Sequence, residues 1–205
     1  MRLVKESVPY IVVPVLLAAV AGAFNFWFVA GFFLLVMVFM AFFFRDPERA
    51  VPTDPNVVVS PADGRVTRVG PMSEEADSPT VVSIFLSPLD VHINRSPIPG
   101  KIVDIKYSPG KFLMATNEKA SLVNEQNALT IQGEKITVVC KQIAGILARR
   151  IVCWRGKGDN LKLGERFGMI KFSSRTDVLL PANVQVLVKE GQRVRGGTTV
   201  IGRIS

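Results

Sequence analysis

The sequence has few of the side chains that bind metals or react as nucleophiles. Its 205 residues include one histidine and two cysteines, Cys140 and Cys153, and no Cys-x-x-Cys pair. A structural zinc site needs four such ligands at short spacings. We therefore expect no metal and exclude the zinc-finger class. The composition, 48% hydrophobic and 20% charged, also excludes a collagen or a disordered tail.

One long segment contains no charged side chain. Residues 7–44 would form a helix of roughly 57 Å, whereas the core of a bilayer is about 30 Å thick. The small and polar residues Ala21–Asn25 predict a break, which leaves one span near Val8–Gly22 and another near Phe26–Phe44. The segment is too long and too continuous for a cleaved signal peptide. It predicts a transmembrane helical hairpin.

Basic residues lie on both sides of this hairpin. Arg2 and Lys5 precede it, and Arg45 and Arg49 follow it. The positive-inside rule places both flanks in the cytoplasm. This predicts a membrane hairpin with its basic flank in residues 1–50, and a domain in residues 51–205 on the cytoplasmic side of the membrane.

The net charge of +8 indicates a polyanionic partner. An anionic lipid surface accounts for it, since each basic residue near such a surface contributes about 1 kcal/mol. The sequence has no RNA-binding aromatic signature and no zinc-finger spacing, so we expect no nucleic acid partner.

Residues 56–205 consist of many short β-branched runs separated by Gly, Pro or Asp. Their spacing is too tight for βαβ crossovers, so we expect a mainly-β, sandwich- or barrel-like α+β domain. Only Thr116–Asn124 and Phe112–Met114 have a helical or irregular pattern. The predicted strands are Val57–Val59, Val66–Val69, Val81–Leu86, Ile102–Tyr107, Ile136–Ile143, Met169–Phe172, Val184–Val188 and Thr199–Ile204.

Three segments contain candidate chemistry, each with a structural alternative. His92 is the one side chain that titrates near neutral pH without a large perturbation, but a lone histidine is usually structural. Asp63 precedes Gly64, as many turn carboxylates do. Ser173 and Ser174 follow a predicted strand, where hydroxyls also cap hairpins.

A non-enzymatic function is the alternative. The turn-rich segments Pro61–Val66 and Val188–Val194 look like those of the small carrier domains that hold lipoyl or biotinyl groups. In this hypothesis a carrier or adaptor domain sits on a membrane anchor, with Lys119 as its modified residue.

Six blocks of sequence, in order, resemble the phosphatidylserine decarboxylase family, specifically its short, archaeal-type branch. The resemblance covers nearly the whole chain. The blocks are Phe42-Phe43-Phe44-Arg45-Asp46-Pro47-Glu48-Arg49, Pro61-Ala62-Asp63-Gly64, Asp90-Val91-His92-Ile93-Asn94-Arg95, Ala120-Ser121-Leu122-Val123-Asn124-Glu125-Gln126, Ala144-Gly145-Ile146-Leu147-Ala148-Arg149-Arg150-Ile151-Val152 and the strand with its serines, Arg166 to Asp177.

The resemblance implies a self-processing proenzyme. The hydroxyl of Ser174 would attack the carbonyl of Ser173 and convert that amide into an ester. β-Elimination and loss of ammonia would then leave a pyruvoyl cofactor at residue 174. The products would be a β chain, residues 1–173, and an α chain, residues 174–205. The mature enzyme would decarboxylate phosphatidylserine to phosphatidylethanolamine.

The resemblance also assigns roles to other residues. His92, oriented by Asp63, would be the base for Ser174, which repeats the logic of catalytic triads. Arg95 is a candidate for binding the substrate headgroup because it lies close to His92 in the sequence, and Arg149 and Arg150 are weaker candidates. The implied partners are the phospholipid substrate, the cytoplasmic membrane and further copies of the chain in a homo-oligomer.

The chain departs from the family at the cleavage junction, which is normally Gly-Ser and here is Ser173-Ser174. A Cβ at residue 173 restricts the backbone more than glycine does. The departure predicts slower processing or an uncleaved precursor.

Overall fold

The computed structural model describes residues 2–75, 78–113, 120–146, 150–172 and 174–205. The chain forms two compact units, Met1–Glu48 and Arg49–Ser205, and each is described here by itself.

The first unit consists of two apolar helices, α1 (Val8–Ala23) and α2 (Trp27–Phe43), after a 3₁₀ turn at Lys5–Ser7. Two short strands, β1 (Arg2–Leu3) and β2 (Arg45–Asp46), pair antiparallel. The helices begin and end within two residues of the predicted spans. Both helices are therefore present where the sequence predicts them.

Small residues shape the contact between the two helices. Asn25, in the turn between them, has a φ of 62°, a left-handed conformation that asparagine tolerates better than most residues. Ala18 and Ala21 of α1 and Ala30 of α2 are buried, and small side chains let helices approach closely.

By length and composition, one helical run of the described residues can cross a bilayer. Lys5–Ala23 has 19 residues and a mean hydropathy of 1.7, whereas the apolar helix Trp27–Phe43 has 17 residues and is shorter. The predicted pair of membrane spans therefore stays a prediction.

The second unit is mainly β, and its named strands pair antiparallel throughout. A short helix, α3 (Ala120–Val123), lies between β7 and β8. The strands are β3 (Val57–Val59), β4 (Gly64–Pro71), β5 (Thr80–Leu86), β6 (Ile93–Arg95), β7 (Gly100–Ser108), β8 (Gln126–Gln132), β9 (Thr137–Ala144), β10 (Ile151–Cys153), β11 (Asn160–Leu161), β12 (Arg166–Ile170), β13 (Ser174–Leu180), β14 (Val184–Val186), β15 (Arg193–Val194) and β16 (Val200–Ile204).

The described residues of this unit form three sheets. The main sheet has eight strands in the order β11-β7-β8-β9-β13-β5-β4-β15. The second sheet has the order β10-β12-β6, and the third has the order β14-β16-β3. Side chains alternate along each strand, so every other residue of β5, β9 and β13 faces one common core. Members of that core include Val82, Ile84, Leu86, Val138, Cys140, Val178 and Leu180.

The mainly-β prediction is confirmed, and strand β3 matches its predicted range residue for residue. The predicted strands do not include β6, β8, β10, β11 or β15, and the bounds of several others differ by one to three residues. The strand predicted at Met169–Phe172 is wrong at its end, because β12 stops at Ile170 and Phe172 has a left-handed φ of 60°. The helix predicted at Thr116–Asn124 is observed as α3, and the part of it at residues 116–119 lies outside the described residues.

Candidate active site

Ser174 is the first residue of β13, and it lies between two neighbouring strands. Its register partners are Leu86 of β5 and Ala144 of β9, and its side chain is completely buried. Among the described residues its Oγ has no hydrogen-bond partner. A buried hydroxyl without a partner costs about 1–3 kcal/mol. Such a group is a candidate for chemistry.

His92 follows a tight turn at the end of β5. The carboxylate of Asp90 closes this turn by accepting hydrogen bonds from the backbone N and the Oγ of Ser87, at 2.9 and 2.7 Å. Nδ1 of His92 lies 2.9 Å from the carbonyl oxygen of Asp90. Since a carbonyl oxygen can only accept, Nδ1 donates, and Nε2 of the neutral ring then carries the lone pair that a base needs.

A buried polar bridge connects the second sheet with the main sheet. Nδ2 of Asn94 donates to Oγ1 of Thr176 at 2.9 Å. Nε2 of Gln142 donates to Oδ1 of Asn94, also at 2.9 Å. Gln142 and Thr176 are register partners on β9 and β13, so this bridge fixes Asn94 opposite one position of the main sheet.

A second contact joins the residue before β6 to the end of β12. The backbone N of Ile170 lies 3.3 Å from the carbonyl oxygen of His92. Ile170 packs against Ala144, and Ala144 is the register partner of Ser174.

The two contacts connect Asn94 with the row of the main sheet that contains Thr176, and connect His92, through Ile170, with the row that contains Ser174. His92 is two residues before Asn94, and Ser174 is two residues before Thr176. A step of two along an extended chain returns to the same face. The candidate base and the candidate nucleophile therefore lie at the same end of the interface between the main and second sheets.

Asp63 lies beside the row of the main sheet that contains Ser174. Arg65 pairs with Phe85, which pairs with Arg175, so Gly64 and Ser174 share the adjacent row two strands apart. That separation is roughly 10 Å between backbones.

Among the described residues, Arg49 and the backbone N of Gly196 donate to the Asp63 carboxylate. The hydrogen bond at Nδ1 of His92 is made by a backbone carbonyl. Orientation of His92 by Asp63 therefore stays a prediction.

Arg95, the predicted headgroup ligand, is only 8% exposed. Its Nη1 donates to the carbonyl oxygen of Gly164 at 3.2 Å, and its backbone N donates to that of Pro61 at 2.8 Å. These bonds hold the side chain within the fold, and a role in substrate binding stays a prediction.

Several residues named from the sequence lie outside the described residues. They are Ser173 at the junction, Lys119 of the carrier hypothesis and Arg149. Arg150 is described and exposed. Within the described ranges, no group of three or more metal-ligating side chains occurs.

The backbone just before the junction is strained. Phe172, two residues before Ser174, has a φ of 60°. The left-handed region is unfavourable for a bulky residue, and such strain collects at functional sites.

Sequence reasoning missed a buried ion pair next to Ser174. Arg175 and Asp177 are both 3% exposed and bond to each other. The available signal was the opposite charges of Arg175 and Asp177, two residues apart on one face of a strand, but charged residues in a strand usually predict a face in solvent. Only the structure shows that this face is covered.

Comparison with known proteins identifies the family to which the chain is similar. A family model described as phosphatidylserine decarboxylase matches residues 36–202. The chain is 43% identical over 205 residues to a protein of Geobacter metallireducens, covering 96% of this chain and 94% of that one. It is 44% identical over 207 residues to a protein of Solibacter usitatus, covering 99% and 97%. A protein of Carboxydothermus hydrogenoformans is 45% identical over 204 residues, covering 98% and 95%.

All three relatives are named phosphatidylserine decarboxylase proenzyme. The family model spans more than half of the chain, and the relatives are similar along nearly its whole length. The chain therefore belongs to the phosphatidylserine decarboxylase family.

Proposed function

We propose that the protein converts phosphatidylserine to phosphatidylethanolamine and carbon dioxide, and that it matures by cleaving itself between Ser173 and Ser174. Family membership supports the reaction. The observation that carries the self-cleavage is the buried Oγ of Ser174, which has no partner among the described residues and lies at the same end of the sheet interface as His92.

Cleavage would begin with attack by the hydroxyl of Ser174 on the preceding carbonyl carbon. Nε2 of His92 takes the proton of Ser174 Oγ, which attacks the carbonyl carbon of residue 173, and the C–N bond breaks as the nitrogen of residue 174 gains a proton. Loss of the Ser174 Cα proton then breaks the Cβ–O bond of the ester and frees the carboxylate of residue 173. Water replaces the nitrogen, which leaves as ammonia, and a pyruvoyl group remains at residue 174.

Two features of the chain fit such a cofactor. Ser174 is a serine, the residue type from which a pyruvoyl group forms, and it lies at the very start of β13. The strand is held by seven register pairs with β5 and six with β9. Residues 174–205 would therefore stay attached to residues 1–173 without a peptide bond.

The ketone of the pyruvoyl group at residue 174 would supply an electron sink for the loss of carbon dioxide. This chain's own residues position it and manage protons around it. β5 and β9 hold residue 174 from both sides. His92 is the residue placed to return a proton to the substrate carbon after carbon dioxide leaves.

A membrane location suits a phospholipid substrate. Lys5–Ala23 is long and apolar enough to cross a bilayer, and α2 is the proposed second crossing. The basic residues flanking the helices favour a cytoplasmic position for the second unit, Arg49–Ser205. A homo-oligomer remains the expectation from the family resemblance.

Intact mass spectrometry of the protein purified from membranes tests the proposal. We expect two chains, 1–173 and 174–205, with the shorter one lighter by one ammonia than a serine-terminated peptide. Ser174→Ala should give one continuous chain without decarboxylase activity, and Ser108→Ala, a serine of β7, is the control. An active protein that stays a single chain would disprove the proposal.

Ser173→Gly measures the effect of the departure at the junction. We expect faster cleavage, because glycine lets the backbone approach the attack geometry at lower cost. An unchanged rate would mean that the junction tolerates the Cβ.

A further inference from the structure

The face of β13 opposite Ser174 contains a buried ionic cluster. Ser174 and Thr176 face the core side, so Arg175 and Asp177 point to the other side of the main sheet. Nε of Arg175 donates to Oδ1 of Asp177 at 2.6 Å. We call the pair together with its two serine partners, Ser83 and Ser121, the β13 cluster.

The two serines complete the hydrogen bonding of the pair. Nη2 of Arg175 donates to Oγ of Ser83 at 2.7 Å. Oγ of Ser121 donates to Oδ2 of Asp177 at 2.8 Å. Both carboxylate oxygens of Asp177 are therefore engaged, and the guanidinium is held in two directions.

A buried ion pair is a poor general means of stabilisation. Removing two charges from water costs about as much as their attraction returns, and apolar residues of similar volume often stabilise as well. What a hydrogen-bonded pair of this kind provides is geometry, since a planar guanidinium fixes direction as well as distance. Because Arg175 directly follows Ser174, a fixed direction of its side chain also restrains residue 174.

The β13 cluster contains residues from both chains of the mature protein, so the inference rests on the proposed self-cleavage. Arg175 and Asp177 belong to residues 174–205, whereas Ser83 and Ser121 belong to residues 1–173. Cleavage turns residue 174 from an internal residue into a chain terminus. Termini fray unless side chains or pairing tie them down.

We propose that the β13 cluster positions the new terminus after cleavage. Arg175, anchored through Ser83 and Asp177, holds the second residue of the α chain in the sheet. Residue 174 then stays turned towards the end of the interface where His92 lies. Arg175 and Asp177 are positioning residues, because they act through residue 174 and lie on the opposite face of the strand.

A general loss of stability would impair both self-cleavage and turnover, whereas the β13 cluster affects turnover alone. Before cleavage, the covalent chain itself restrains residue 174. After cleavage, the cluster takes over that restraint. Loosening the cluster should therefore leave cleavage nearly complete and impair turnover.

The experiment uses Asp177→Asn and the milder Ser121→Ala in the full-length protein. Intact mass measures cleavage, and steady-state assays with phosphatidylserine in mixed micelles give kcat and KM. An aminooxy reagent measures how fast the terminal ketone is captured. We expect wild-type cleavage, a kcat lowered about tenfold, an almost unchanged KM and ketone capture faster by about tenfold, where tenfold corresponds to about 1.4 kcal/mol.

Val178→Ala is the matched control. Val178 is on the same strand, fully buried, and faces the apolar core rather than the cluster. It should lower the Tm without changing the rate of ketone capture. If Asp177→Asn lowers the Tm as Val178→Ala does and changes nothing else, the cluster is merely structural and the proposal is wrong.

Other results are equally decisive. If either cluster variant stops cleavage as Ser174→Ala does, the pair serves the precursor and the proposal is overturned. Should Asp177→Asn fail to fold, Ser121→Ala alone decides by the same readouts. If the wild-type protein is active without cleavage, the proposed maturation is wrong, and the positioning role that depends on it is wrong as well.

Discussion

Arg49 and Asp63 form a nearly buried ion pair in which Nη2 of Arg49 lies 2.9 Å from Oδ1 and 2.7 Å from Oδ2 of Asp63. The two side chains are 10% and 15% exposed. The backbone N of Gly196 donates to the same Oδ1 at 2.8 Å. The predicted triad carboxylate is thus held by a residue that the sequence suggested only as a basic flank of the helices.

This pair should contribute measurably to stability. Removing one partner of a largely buried pair leaves the other charge uncompensated. We expect Arg49→Gln to cost about 2 kcal/mol, which lowers the Tm by roughly 4–8 °C. Thermal unfolding in detergent, in a Ser174→Ala background that keeps the chain continuous, measures this change.

The exposed pair of Arg203 and Asp54 provides the control. Its atoms are 3.6 Å apart and its side chains are 59% and 40% exposed. Exposed pairs contribute about 0–1 kcal/mol, so Arg203→Gln should barely change the Tm. Equal effects of Arg49→Gln and Arg203→Gln would contradict the assigned role of the Arg49–Asp63 pair.

The sequence predicted the apolar strands well and the polar ones poorly. Val57–Val59 is a β-branched run between turn residues, so local pattern and tertiary structure agree. Strand β6 was missed because its residues Asn94 and Arg95 suggest an exposed loop. Both are buried, because Gln142 and Thr176 hydrogen-bond to Asn94 and the carbonyl oxygen of Gly164 accepts from Arg95, and all three partners are distant in sequence.

Candidate site residues could be named from the sequence, but their arrangement could not. The position of His92 and Ser174 at the same end of the interface depends on the register of two sheets, which a single sequence does not encode locally. The partner of Asp63 depends on how the chain near Arg49 meets the 61–64 loop. Such contacts arise only once the strands have paired.

His92 should be required for maturation. His92→Ala removes the nitrogen that would take the proton of Ser174 Oγ, so we expect cleavage to be severely slowed, by about 10²–10⁴-fold as for other general bases. The measurement is the ratio of the continuous chain to the cleaved chains over time. Added imidazole should partly restore the rate by entering the vacated space.

Leu89→Ala, at an exposed position in the same loop, is the control for His92 and should mature normally. If His92→Ala protein matures into two chains at the wild-type rate, His92 is not the base.

Gly168 should resist substitution because another backbone lies against it. A Cβ there would lie 2.3 Å from the carbonyl oxygen of Val152 on the neighbouring strand. We expect Gly168→Ala to push β10 and β12 apart and destabilise the protein by about 1–3 kcal/mol. Gly70→Ala is a matched control, since nothing lies within 4 Å of its added Cβ. Equal thermal stability of the two variants would contradict this packing.

Cys140 should make the stability of the protein fall at alkaline pH. Burial, with a smaller effect from the charge of Asp177, raises the pKa of its thiol far above the ordinary 9.0. Above that pH the unfolded chain loses the Cys140 proton while the folded chain keeps it. The free energy of unfolding therefore decreases as the pH rises, by up to about 1.4 kcal/mol per pH unit for this one group.

Urea unfolding at about pH 8 and about pH 10.5, in wild-type and Cys140→Ala proteins, isolates this effect. The variant should be less stable at the lower pH, because it leaves a small cavity, and should lose less stability between the two values. Other groups that titrate in this range, including Tyr107, whose hydrogen bond to Glu125 raises its pKa, cancel in the comparison. Parallel losses in the two proteins would show that the Cys140 thiol ionises as readily in the folded chain as in the unfolded one.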